Sequence, residues 1–193
     1  FVPNEKFKIL NKSNKKLFFK SINKIKLNLK EKKNIFYSFS KDFKLNFSLS
    51  ELKKYKRFKR IVTIGMGGSI FGAQAINSFL KKKINKELIF INNLDPDQLN
   101  KLKRIKNLKN SLFIFISKSG NTIEVLTIIN SLKNKANFNK NNSLVITTNK
   151  KSHLSSFAKK LGIKIIFHRH YIGGRYSVFS ETALVPCYLM NIN

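Results

Sequence analysis

Six consecutive residues, Ser117-Lys118-Ser119-Gly120-Asn121-Thr122, bring three hydroxyls, a lysine, an amide and a glycine into one short stretch. They directly follow an apolar run at 112–116, and they precede an apolar-periodic segment with Glu124 in its first turn. The pattern reads as a buried strand, a tight polar loop and a helix start. Gly120 can take positive φ and lets backbone come close to a ligand. Thr122 is placed as an N-cap, and the Glu124 charge suits the positive end of the helix dipole. Free N–H groups at a helix start, flanked by hydroxyls and Lys118, suit a phosphate group. The competing reading is a serine-rich strand-to-helix turn without a ligand, and the loop by itself does not separate the two.

Two further stretches carry chemistry. Gly65-Met66-Gly67-Gly68-Ser69-Ile70-Phe71-Gly72 is a glycine-rich turn behind an apolar strand. It lacks the GxGxxG frame, and Asn92 and Asn93 end the next strand where a dinucleotide site has an acidic residue. A nicotinamide cofactor is therefore not expected. Gly173-Gly174-Arg175 sets a cation behind two glycines, which lets backbone and guanidinium both approach a bound molecule. Read blandly, Arg175 is one more surface cation among 39 Lys and Arg. His168 and His170 close the last strand, a position where histidines are more often structural. Glu181, close to Arg175 in sequence, is left without a role.

An alternation of strands and helices must position these loops. Strands are expected at 60–64, 88–91, 112–116, 144–147 and 163–167. Helices are expected at 69–80, from Asp95-Pro96 onward, at 122–132, and at 152–161 with Gly162 closing the last. Residues 133–142 read as a polar surface loop. Such alternation means an α/β fold: a doubly wound parallel sheet of about five strands with flanking helices and right-handed crossovers. Ligands in such sheets bind beyond the carboxyl ends of the strands, where the glycine- and serine-rich loops lie. Residues 1–58 read as an N-terminal helical arm and 59–193 as the sheet domain. In the arm, Leu17, Phe18, Ile22, Ile25 and Leu29 recur at helical spacing and are expected to pack on the later core. Ser48 and Glu51 form a capping box for a helix running through Tyr55.

Composition bounds the rest. The 193 residues suffice for one domain with a sizeable core. The formal charge of +30 would ordinarily suggest nucleic acid. Here Lys, Asn, Ile and Phe are abundant together and Trp is absent, the usage an AT-rich genome favours. The lysines are spread over most segments, so drift is the better account and no specific nucleic-acid partner is expected. The field would still help attract an anionic substrate. The single cysteine, Cys187, rules out an internal disulfide and fits a reducing compartment. With no apolar run long enough for a membrane span and no signal pattern at the start, no membrane association and a cytoplasmic place are expected.

The pattern SxSGxTxE resembles the phosphate loop of the sugar isomerase (SIS) domain. The glycine-rich turn (GxGGSxxG), that loop, and Gly173-Gly174-Arg175-Tyr176-Ser177 (GGRxS), in this order, resemble the glucose-6-phosphate isomerase family from about residue 61 to 193. Ile146-Thr147-Thr148-Asn149 and Asn93-Leu94-Asp95 also look like family positions. The resemblance implies an SIS-like sheet and an aldose–ketose isomerase interconverting glucose 6-phosphate and fructose 6-phosphate without cofactor or metal, homodimeric at full length. By position, Gly68, Ser69 and Gly174 would lie against the sugar phosphate and Ser117, Lys118, Ser119, Gly120, Asn121 and Thr122 would cradle the phosphate. Arg175 would stand over the reacting carbons. The family's base, histidine and further lysine have no match here, so we expect this chain to be the amino-terminal part of the enzyme, ending before a second domain. The family usually has a small residue where Glu181 stands. The alternatives are a non-catalytic phosphosugar-binding SIS module and an isomerase acting on both glucose and mannose phosphates.

Overall fold

The computed structural model describes residues 5–192; residues 1–4 and 193, the outer ends of the expected arm and sheet domain, lie outside it. Five parallel strands form one sheet: β1 (Arg60–Gly65), β2 (Glu87–Ile91), β3 (Leu112–Ile116), β4 (Ser143–Thr147) and β5 (Lys164–Phe167). Their spatial order is β2-β1-β3-β4-β5. The chain steps from β1 outward to β2, returns to β3 on the other side of β1, and continues to β4 and β5. The order thus reverses between β1 and β3, and the carboxyl ends of those two strands flank the crevice where such folds bind ligands.

Alternation within the strands explains the layering. Val62, Ile64, Phe113, Phe115 and Val145 point to one face, where they meet α4 (Pro96–Arg104), α5 (Ile123–Ala136) and α6 (His153–Lys160) through Leu102, Val125, Ile128, Leu154 and Ala158. Ile61, Leu112, Ile114, Ile116, Leu144 and Ile146 point to the other, against Leu52, Tyr55 and the helix α7 (Glu181–Leu189) through Val185 and Leu189. Each such side chain, fully buried, contributes roughly 1.5–3 kcal/mol of transfer free energy. The helix α3 (Gly68–Phe79) packs on α7 through Ala73 and Ala183.

Asp95 caps α4 by accepting from Asp97 and Gln98 N–H, with Pro96 at the first position. Ser48 and Glu51 form the capping box of α2 (Leu49–Lys53), followed by a 3₁₀ turn, Lys54–Arg57. Three expectations change. Residues 133–142 are not a surface loop: α5 runs on to Ala136, and Phe138 and Asn142 are buried. Phe138 packs edge-on against Phe113 and Phe115, while the Asn142 amide donates to three carbonyls. The chain divides into units Phe1–Phe43 and Lys44–Asn193, not at residue 58, because Leu52 and Tyr55 have no exposed surface and belong to the core of the sheet unit. In the first unit the expected helix is present as α1 (Glu5–Asn28), but Leu17, Phe18 and Ile25 are exposed.

Candidate functional site

Helix starts differ in how they are capped. Ser48, Asp95 and Ser152 cap α2, α4 and α6 with their side chains. By contrast α3 and α5, which follow β1 and β3, begin with no side-chain cap. Gly65 of β1 pairs with Ile116 of β3, so both helices begin at the same level beside the switch point. Thr122 occupies the N-cap position of α5, as its sequence predicts, but its hydroxyl turns instead to Ser117 Oγ at 2.7 Å. The N–H groups of Ile123, Glu124 and Val125 thus keep the open state of a first helical turn. That is the arrangement an anion can use.

The loop between β3 and α5 is built from within and braced by β4 and α6. Gly120 takes φ +69°, and its N–H donates to Ser117 Oγ at 3.0 Å. A Cβ there would collide with the Ser152 side chain. Asn121 N–H donates to Ser119 Oγ, and the Asn121 side chain accepts from His153 N–H at 3.0 Å. Thr148 Oγ1 donates to Lys118 O at 2.7 Å, joined by Thr147 Oγ1. Ser117 and Gly120 are buried, Lys118 and Thr122 half-buried, and Ser119 and Asn121 exposed. The braces from Ser152 and His153 went unread in the sequence. The S-x-x-S pattern at 152–155 was a weak cue, and nothing local ties it to Gly120.

The second cluster is made by distant backbone. A Cβ on Gly68 would stand 2.6 Å from both Gly174 O and Arg175 N, so only glycine lets the two segments lie this close. From Gly174, a Cβ would sit 3.5 Å from Ser69 N. Ser177 Oγ, donating to Gly174 O at 2.7 Å, also approaches Gly68 O. The 3₁₀ segment Gly174–Phe179 leads into α7, and its Arg175 side chain is exposed. Arg175 forms no hydrogen bond or ion pair among the described residues. The structure therefore brings Gly68, Ser69, Gly174 and Arg175 together, and separately gathers Ser117 to Thr122 into one loop. Both lie at the carboxyl edge, with no hydrogen bond between them among the described residues.

His168 and Glu181 are buried against each other, Nδ1 to Oε2 at 2.9 Å. Burial alone would push the Glu181 carboxyl up. Hydrogen bonds from His168 and from Asn46 N–H outweigh it and hold the carboxyl below its ordinary range. Burial pushes the Cys187 thiol up to about 11, which leaves it unreactive. Among the described residues, no group of three or more His, Cys, Asp or Glu could hold a metal ion, and no helix is long and apolar enough to cross a membrane. A groove of about 660 Å³ is lined by Arg57, Lys59, Lys109, Asn110, Asn139 and Asn142, among others. It lies where β1, β3 and β4 begin, the wrong edge for a ligand site in this fold.

Comparisons with known proteins agree with this fold. The family model described as phosphoglucose isomerase matches residues 12–190. Glucose-6-phosphate isomerase of Borreliella afzelii is 39% identical over 140 residues, covering 67% of this chain and 26% of that protein. The Campylobacter jejuni protein of the same name is 36% identical over 145 residues, covering 72% of this chain and 36% of its own. This chain thus spans about a quarter to a third of these relatives' length. Among solved structures, a glucose-6-phosphate isomerase from Chlamydia trachomatis superposes with a TM-score of 0.61 at 27% identity, over 71% of this chain and 28% of that one.

Proposed function

Because the chain belongs to the phosphoglucose isomerase family, we propose that it carries the substrate-phosphate site and one catalytic cation of an enzyme interconverting glucose 6-phosphate and fructose 6-phosphate. The observation that carries this reading is the pairing at the switch point of two uncapped helix starts with the Gly68–Gly174 contact that fixes the base of the Arg175 side chain. The phosphate dianion sits on the 117–122 loop, taking the open N–H groups of α5, the Ser119 hydroxyl and the Lys118 charge. Gly68, Ser69 and Gly174 pack against the sugar. Isomerisation moves a proton from C2 of the open-chain aldose to C1 and the hydroxyl proton from O2 to O1, through an enediolate whose negative charge grows on the oxygens. Arg175, without a hydrogen-bond or ion-pair partner among the described residues, neutralises that charge as it forms.

No residue described here is assigned as the general base. The carboxylate of Glu181 has no exposed surface and both oxygens engaged, so it cannot reach a substrate proton. A cytoplasmic place in glycolysis and gluconeogenesis, and a homodimer for the complete enzyme, go with this reading.

Titration calorimetry on these 193 residues, with glucose 6-phosphate and with glucose, tests the phosphate loop. Binding of the phosphate ester alone is expected; equal heats, or none for the ester, would sink the reading. A coupled assay on the same chain should find no turnover. If the full-length protein also binds without turning over, the chain is a phosphosugar-binding module and not part of an isomerase.

A further inference from the structure

The segment that carries Arg175 enters the site after Ile172 and leaves it at Glu181. One imidazole touches both ends. His168, at the end of β5, places Nε2 3.2 Å from the Ile172 carbonyl and Nδ1 2.9 Å from the Glu181 carboxylate. The other Glu181 oxygen accepts from Asn46 N–H at 3.0 Å, so the carboxylate, the ring and the Ile172 carbonyl form one buried set of contacts.

We propose that His168 is a positioning residue: its ring clasps the two ends of the 172–181 segment and so holds Arg175 against Gly68. This rests on the isomerase reading for its effect on rate, but the clasp itself does not. Between the clasped ends, Ser180 Oγ donates to Ser177 O and Ser177 Oγ to Gly174 O, which carries the constraint inward to the Gly68 contact. Glu181 faces the ring from α7, and the 44–47 segment offers the Asn46 N–H. Beyond them stand Arg169, whose guanidinium donates to Lys44 O, the exposed Lys44 and His170, and Lys150, which lies over the Phe167 ring.

The consequence is that Arg175 loses its place when the links are cut, while the 117–122 loop, which shares none of these contacts, keeps its shape.

The test uses the full-length protein, with kcat, KM and hydrogen exchange of residues 172–181 for wild type, His168→Phe and His168→Gln. His168→Phe, which cuts both links, should lower kcat by as much as about a hundred-fold, the cost of an ångström-scale misplacement, with KM little changed and faster exchange along 172–181. His168→Gln, which can keep one link, should fall between. A folded His168→Phe with unaltered kcat and exchange overturns the proposal. Should His168→Phe fail to fold, His168→Gln decides, and values equal to wild type overturn the proposal. Should the wild type show no turnover, the isomerase reading falls alone, and hydrogen exchange still decides the clasp.

Discussion

The Ser117–Thr122 loop and the Gly173–Ser180 segment arrive at the same edge of the sheet by different means. The first is a continuous strand–loop–helix unit. Its own hydroxyls set its turn, as in Gly120 N–H to Ser117 Oγ and Ser117 Oγ to Thr122 Oγ1, and Thr148 and His153 brace it from outside. The second hangs between β5 and α7 and is placed by contacts from far away. Ser177 meets Gly68 across 109 residues, and His168 meets Glu181 across 13. A locally built loop suits a task that needs many donors and little directionality, such as holding a phosphate. A cation that must meet charge developing at one atom needs outside bracing, because its usefulness depends on where it stands.

Substitutions in the two regions should therefore leave opposite kinetic signatures. The largest effect is expected from Arg175→Ala in the full-length protein. Removing a preorganised donor costs about 2.7–4 kcal/mol, or roughly a hundred- to a thousand-fold in kcat, with KM little moved. Arg175→Lys should recover part of the loss, since it keeps the charge without the planar fork. A raised KM with intact kcat would make Arg175 a binding contact and erase the distinction.

The same small change, glycine to alanine, sharpens the comparison next. Gly68→Ala forces its methyl to within 2.6 Å of Arg175 N, so the segment must move. About a hundred-fold loss of kcat should follow, with phosphate binding retained. Gly120→Ala meets both a positive φ and the Ser152 side chain. At about 1–3 kcal/mol for the backbone alone, it should lower the melting temperature by several degrees and weaken sugar-phosphate binding. Kinetics and thermal melts on both variants check this; identical profiles would contradict it.

Ser119→Ala should have the smallest effect. Its hydroxyl is exposed and already accepts from Asn121 N–H. Losing one such hydrogen bond costs about 0.5–1.5 kcal/mol, so substrate binding should weaken by several-fold while kcat holds. A drop in kcat with unchanged binding would place the loop at the reacting carbons instead.

Sequence alone determined the parts governed by short-range physics. The continuous apolar run Leu112 to Ile116 marked a strand covered on both faces, Asp95-Pro96 marked a helix start, and Gly120 announced a left-handed turn. Each signal is complete within a few residues, because capping and strand periodicity act over that span. Where a signal was local but incomplete, the reading failed. Residues 133–142 look polar, yet Phe138 and Asn142 turn inward because β3 offers phenylalanines and the turn offers carbonyls to fill. Leu52 and Tyr55 likewise joined the sheet unit, since the face of β1, β3 and β4 opposite α5 needed covering. Only the tertiary structure decided that the strand order reverses between β1 and β3, that Thr122 leaves its helix uncapped, and that Gly68 lies on Gly174. It also decided that His168 closes the Arg175 segment. Those facts depend on which distant groups the crossovers bring within a few ångströms, and no spacing along the chain encodes that distance.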